Sequence, residues 1–409
     1  MTETQSALEA RERRIPDHVP AELVRTFDFR SDLGSCPHAV IARLHEGPRI
    51  FYSPVSHQDR AAAVTGAWVL TKADDIRTVL QNPEVFSSAA PRAYAMGETW
   101  KLIPLEMDPP EHGKWRALLN PLFSPNRLKQ QEDKIRSWAI ELIEALVHRG
   151  ACDFVADFAT AYPIGIFLDM LGLPRSDLPK FRDWVDGIVH DRARRGEIMR
   201  TLKDFLGGVI ADRRAHPAGD DLLTLVTRME MDGRPINDEE ALGICFLLFI
   251  AGLDTVVSSA SFHFRYLAEN PADQDRLRAD PAMIPDAVEE LFRAFPVVTT
   301  SRFATRDTEL AGVRIRKGDM VTTSTLLSTR DPDEFDNPNV VDLTRSPNRH
   351  NAFAFGPHRC LGSHLARREI IIAVEEWLRR VPRFHVKPDA IIQAAGGGVI
   401  GIDNLPLAW

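Results

Sequence analysis

Apolar positions recur with two different periods along this chain, and the change of period divides it into three stretches. In the first, Gly66 to Thr71 reads as a short strand, and a helix is predicted from Ala73 to Gln81, stopped by Asn82-Pro83. From Pro125 to about Ala268 the helical period dominates, with breaks at Gly172-Leu173-Pro174 and from His216 to Gly219. The last stretch returns to short strands, Thr308 to Ile315 and Met320 to Thr323, around a turn at Arg316 to Asp319. A further helix is predicted from about Leu361 to Arg380, with strand-like segments closing the chain.

The longest predicted helix has well-marked ends. Asn237 is followed three positions later by Glu240, a capping-box pattern, and Asn270-Pro271 is the stop signal. About 32 residues at 1.5 Å rise give a rod of roughly 48 Å, long enough to cross the whole molecule. It is apolar on nearly every face in its middle, so it must be buried there. Its uninterrupted apolar run, Ala241 to Leu253, is shorter than the roughly 20 residues of a membrane span. No repeat, low-complexity tract or Gly/Ser linker divides the chain. The expectation is one mainly α domain with small β-sheets over residues 1–409, residues 1–14 forming a flexible arm.

Composition narrows the function. The chain has 409 residues, 44% hydrophobic and 26% charged, an ordinary soluble balance. A net charge of −8 argues against nucleic acid as the main partner, since phosphate binding needs excess basic charge. Cys36, Cys152, Cys245 and Cys360 form no CxxC pair, which suits a reducing compartment and excludes a four-cysteine metal site. The polar N-terminal segment lacks the apolar core of a signal peptide. These features predict a soluble, cytoplasmic protein with no membrane contact.

Four constellations carry candidate chemistry. Cys360 stands in Phe353-Ala354-Phe355-Gly356-Pro357-His358-Arg359-Cys360-Leu361-Gly362. A thiolate that binds iron in an apolar pocket needs a tight loop, glycines that let amides turn towards the sulfur, and an aromatic shield; Gly356, Gly362 and Phe353 supply these. A lone cysteine is otherwise more often a small buried hydrophobe. Within the long helix, Ala251-Gly252-Leu253-Asp254-Thr255 places a carboxylate and a hydroxyl beside small residues. Burying such groups is costly unless they have partners or a task, and the bland alternative is a threonine bonded to the carbonyl four residues back. Glu290 and Arg293 are three apart and share a helix face, as on many solvated helices. His112 and Arg116 are four apart on a helix begun by Pro109-Pro110.

Together and in this order, these motifs resemble those of the cytochrome P450 family, nearest its bacterial camphor hydroxylase branch. The likeness runs from about Ile15 to Trp409 and includes Leu361 to Ile371 and the terminal Leu405-Pro406-Leu407-Ala408-Trp409. The resemblance implies the P450 fold, a triangular prism with the long helix over a haem b. Cys360 would be the axial iron ligand in its loop. Asp254 and Thr255 would relay protons to bound dioxygen. His112, Arg116, Arg302 and His358 would neutralise the haem propionates. Glu290, Arg293 and Arg345 would form a buried ion-pair triad that fixes the cysteine loop.

The reaction implied is monooxygenation of a small apolar substrate by dioxygen. Pocket lining carried over by position would include Trp100, Ile188, Val189, Leu247 and Ile250, with Ala251, Val297, Val298 and Val399. Nearly all are apolar, which suggests a monoterpenoid or norisoprenoid-like ligand. Trp100 stands where the camphor hydroxylase pattern has a hydrogen-bonding tyrosine, and its indole N–H can donate but not accept. Thr300 replaces an acidic residue expected near a propionate, and Gly396-Gly397-Gly398 should thin one wall. No flavin or iron–sulfur motif is present. The resemblance therefore implies electrons from a [2Fe–2S] ferredoxin and an NADH-dependent ferredoxin reductase, steered by Lys72, Arg77, Lys114, Arg116, Arg359 and Arg367. Two alternatives stand beside this reading: a peroxide-using enzyme of the same fold, which would not need the acid–Thr pair, and a non-catalytic haem-binding sensor.

Overall fold

The structure is a computed structural model, and it describes residues 15–409 except 32, 34, 35, 56–65, 90–99, 190, 191 and 218. The expected arm at residues 1–14 lies outside the described residues. The longer helices, in chain order, are α1 (Ala73–Gln81), α2 (Glu111–Leu119), α3 (Glu132–Val147), α4 (Ala161–Leu171) and α5 (Leu178–Val189). They continue with α6 (Arg192–Ala215), α7 (Asp238–Glu269), α8 (Pro271–Ala279), α9 (Ile284–Ala294) and α10 (Ser363–Arg380).

α7 begins where its capping box predicts. The Asn237 side chain accepts from the Glu240 amide, and Glu240 accepts from the Asn237 amide, both at 2.8 Å. By length and composition α7 could cross a membrane, yet 56% of its most apolar window is buried inside the protein. It packs against α4, α6 and α9, which makes it the axis of the core. The break at Gly172 is a left-handed C-cap at φ 65°, a conformation glycine adopts without a Cβ penalty. α10 lies on α3 and α9, anchored by Trp377, whose ring meets Phe264 and Phe154 edge-on.

The largest sheet has five strands in the order Ile50–Ser53, Ala67–Leu70, Met320–Ser324, Thr299–Ala304, Phe86–Ser87. Val321 pairs with Trp68 in parallel and with Arg302 in antiparallel register, which fixes Arg302 at the cavity edge. A second sheet joins His385–Val386 and Ala151–Asp153 through the C-terminal strand Pro406–Ala408. The Ala151–Asp153 strand interrupts a stretch expected to be helical, as does the small hairpin of Glu230–Met231 with Arg234–Pro235. Two or three residues are too few to show a period of two, and the first strand is defined by a partner some 250 residues away.

Candidate active site

A cavity of about 600 Å³ lies between the middle of α7 and the loop that carries Cys360. The loop is built by backbone bonds: the Cys360 amide donates to the Phe353 carbonyl at 2.9 Å, and the Ala354 amide to the Asn351 carbonyl at 2.8 Å. Gly356 is required twice over. Its φ is 71°, and a Cβ there would stand 2.2 Å from the Leu80 carbonyl oxygen at the end of α1. Cys360 opens to the cavity and is otherwise enclosed by protein. Burial pushes its thiol above the usual value, while the Gly362 amide and the guanidiniums of Arg116, Arg359 and Arg367 pull towards thiolate.

Across the cavity stand Ala251, Gly252, Asp254 and Thr255. Nothing lies within 4 Å of where a Gly252 Cβ would be, so α7 is left open at this point. The Thr255 hydroxyl donates to the Ala251 carbonyl at 3.0 Å, the bond a helical threonine makes by default. A hydroxyl has one donor and two acceptor positions, so this bond leaves its lone pairs available.

His112, His358 and Arg302 converge on the same cavity. The two imidazoles lie 4.1 Å apart, and the Nε2 atom of each is buried without a partner among the described residues. Burial lowers His112 to about 4, His358 to about 2 and Arg302 to about 10. Arg302 donates to the Ser301 carbonyl, while Arg116 donates to the Arg359 carbonyl at 2.6 Å and to Asn120. Buried imidazole nitrogens that still need partners and a buried guanidinium face one space, and anionic groups placed there would favour the protonated rings, so these residues fit the carboxylates of a haem. Thr300, where an acidic residue was expected, bonds the Thr323 hydroxyl at 2.9 Å and adds no charge.

Glu290, Arg293 and Arg345 are brought together. Arg293 holds Glu290 by two bonds of 2.7 and 2.8 Å, and both side chains are fully buried. Arg345 adds bonds of 3.1 and 3.2 Å, and the Asp342 amide and Asn348 side chain supply two more. The remaining Arg293 donors reach the carbonyls of Thr329, Pro338 and Val340. The carboxylate thus ties α9 to the chain leading into the cysteine loop.

Of the expected pocket wall, Ile188, Leu247, Ile250, Ala251, Val297, Val298 and Val399 line the cavity. The Val189 side chain lies outside the described residues. Trp100 is not among the lining residues. Its ring packs edge-on against Phe246 at 5.0 Å, and its N–H is buried without a partner among the described residues. The turn that follows is pressed onto α7: a Cβ on Gly243 would stand 2.2 Å from the Lys101 carbonyl oxygen. Gly396, Gly397 and Gly398 do form part of the wall, and a Cβ at Gly396 would meet the Phe29 carbonyl at 2.4 Å.

The cations expected to form a docking patch are largely spoken for. Lys72 pairs with Asp331 and Asp333 at 3.2 and 2.6 Å, Lys114 with Asp232 at 2.6 Å, and Arg77 with Asp74 and with Glu334 at 2.9 Å. Arg367 pairs with Glu289. Among the described residues, no carboxylate lies within ion-pair reach of Arg116 or Arg359. Sequence reasoning passed over Glu369, a buried carboxyl on α10 that lines the cavity and is pushed up to about 8 by burial. In the sequence it reads as one more charge on an amphipathic helix; only burial distinguishes it.

Comparison with known proteins agrees with this geometry. Residues 164–391 match the family model described as Cytochrome P450. The chain is 44% identical over 405 residues to "Probable cytochrome P450 127A1" of Sinorhizobium fredii, covering 97% of each chain. Its fold is similar to the crystal structures of CYP101C1 and CYP101J2, each 34% identical, with TM-scores of 0.88 and 0.87. The alignments cover 97% of this chain and 100% and 99% of those chains. With a cysteine loop, an opened central helix and a buried anion site on one cavity, the chain belongs to the cytochrome P450 family: it is a bacterial-type haem-thiolate monooxygenase whose structural neighbours lie in the camphor hydroxylase branch.

Proposed function

We propose that this P450 hydroxylates a compact, largely hydrocarbon molecule of monoterpenoid or norisoprenoid size, with electrons from a [2Fe–2S] ferredoxin and its NADH-dependent reductase. The observation that carries the substrate class is the wall of Leu247, Ile250, Val297, Val298 and Val399 beside the glycines at 396–398. Apolar branched side chains reward shape and hydrocarbon surface and offer few directional bonds. Bound haem supplies dioxygen activation, so that R–H, dioxygen, two electrons and two protons give R–OH and water.

The chain's own residues do the rest. Cys360 would hold the haem iron and, as thiolate, donate electron density to it. Thr255 donates to the Ala251 carbonyl and would accept from a water in the opening beside Gly252, with Asp254 as the group that would resupply the proton. His112, Arg116, Arg302 and His358 hold the propionates, and Phe353, Gly356 and Gly362 shape the loop. An acidic ferredoxin is supported by exposed Arg359 with neighbouring Arg116, a smaller patch than the sequence suggested.

The test is reconstitution with NADH, ferredoxin reductase and ferredoxin on monoterpenoids that displace the haem-bound water in optical titration. Hydroxylated product coupled to NADH use is expected. Equal product formation from hydrogen peroxide without the electron chain would favour the peroxide-using reading, and bound ligands without turnover would favour the sensor.

A further inference from the structure

Next to the buried triad residue Glu290 stands a second glutamate with its own set of partners. Glu289 accepts from Arg367 on α10, Nη2 to Oε2 at 2.9 Å and Nε to the other oxygen, in a two-bond fork. It also accepts from His350 Nε2 at 2.9 Å, while His350 Nδ1 accepts from the Ala352 amide at 3.2 Å. With Nδ1 accepting from the Ala352 amide, Nε2 is the nitrogen that donates to Glu289. The His350 side chain is 1% exposed. Burial would raise the Glu289 carboxyl, but the bonds from His350 and Arg367 outweigh it and hold it at about 2.

One arm of this network reaches Phe353 and the other the residue before it. His350 orients the Ala352 amide, immediately before Phe353. The Arg367 guanidinium lies over the Phe353 ring, 4.2 Å from its centroid. Phe292, one turn along α9, also packs on the Phe353 ring, with ring centroids 4.9 Å apart. Phe353 in turn receives the Cys360 amide on its carbonyl. Arg367 also donates to the Ser363 carbonyl at 3.3 Å in the first turn after the cysteine, so it braces the loop at both ends.

We propose that Glu289, His350 and Arg367 form a second ion-pair latch, separate from the Glu290 triad, that seats Phe353 and thereby positions the Cys360 thiolate for iron. Arg367 is then a positioning residue rather than a free docking charge. The inference rests on the assignment of Cys360 as ligand. Planarity is what the latch needs: a guanidinium can make the two-bond fork and lie flat on the ring, whereas an ammonium of equal charge can do neither.

The test uses purified holoenzyme without any redox partner. Glu289→Gln and Arg367→Lys are compared with wild type by the ferrous carbon monoxide spectrum and the haem midpoint potential. Both variants should raise the ratio of the short-wavelength thiol form to the red-shifted thiolate form, on the order of tenfold for loss of a charge-assisted fork. The potential should rise, because loosened packing lets water bond the sulfur and reduce its donation. Arg367→Lys keeps the charge, so a shift in that variant reports geometry. In a Phe353→Leu background, the further effect of Glu289→Gln should be small. If both variants match wild type in spectrum and potential, the latch is wrong and Arg367 does not position the loop. Should wild type itself lack the red-shifted band, the ligand assignment fails instead, which separates the two claims.

Discussion

Arg345 donates from its Nε to both carboxylate oxygens of Glu290, at 3.2 and 3.1 Å, while Arg293 holds the same two oxygens from its own helix. A carboxylate at the centre of this many bonds has no water to fall back on. Glu290→Gln should leave two buried guanidiniums partly uncompensated, at a cost of about 3–5 kcal/mol. The expected outcome is loss of haem retention and a lower unfolding midpoint in denaturant, with any surviving holoenzyme still showing thiolate ligation. An unchanged midpoint would remove the triad from the account of loop stability.

Thr255→Ala removes a hydroxyl that bonds only the Ala251 carbonyl in the resting helix, so helix stability should change little. Oxygen and NADH should still be consumed, with much of the flow ending as hydrogen peroxide, since the water that supplies protons loses its holder. The measurement is product and peroxide formed per NADH. Product yield at the wild-type level would make Thr255 an ordinary helix residue.

Trp100→Phe should weaken oxygenated and hydrocarbon ligands alike, or neither. The indole packs on Phe246 outside the cavity wall, and among the described residues its N–H has no partner to lose. Removing a buried unpaired donor should leave stability unchanged or slightly raised, by up to about 1 kcal/mol. Optical titration with a ketone and its parent hydrocarbon decides this; a selective loss of ketone affinity would return Trp100 to the pocket.

Arg359→Glu should slow reduction by an acidic ferredoxin several-fold at low salt, with the defect shrinking as ionic strength rises. Lys114→Glu should have less effect on docking, because Lys114 is already paired with Asp232. Stopped-flow reduction rates over a salt series are the readout. Equal defects in both variants would point to net charge rather than to this site.

The long helix was legible almost to the residue, because its capping box and its Asn-Pro stop are local signals that tertiary packing did not override. The cysteine loop was legible because positive φ at Gly356 and close approach to Leu80 permit so few residues. What was not legible depends on partners distant in sequence. Lys72 looks like a free cation until Asp331 and Asp333 fold beside it. Glu289, one residue from Glu290, looks like a solvated charge until Arg367 and His350 arrive. Trp100 was placed by register with a family pattern, and register says nothing of which way an indole turns.

The central claim is that Cys360 binds haem iron as a thiolate in this cavity. The ferrous carbon monoxide spectrum of Cys360→His against wild type tests it most directly. The wild type should show the red-shifted band that strong thiolate donation produces. The variant should absorb where histidine-ligated haem does. A variant that keeps the red-shifted band would contradict the assignment and the chemistry built on it.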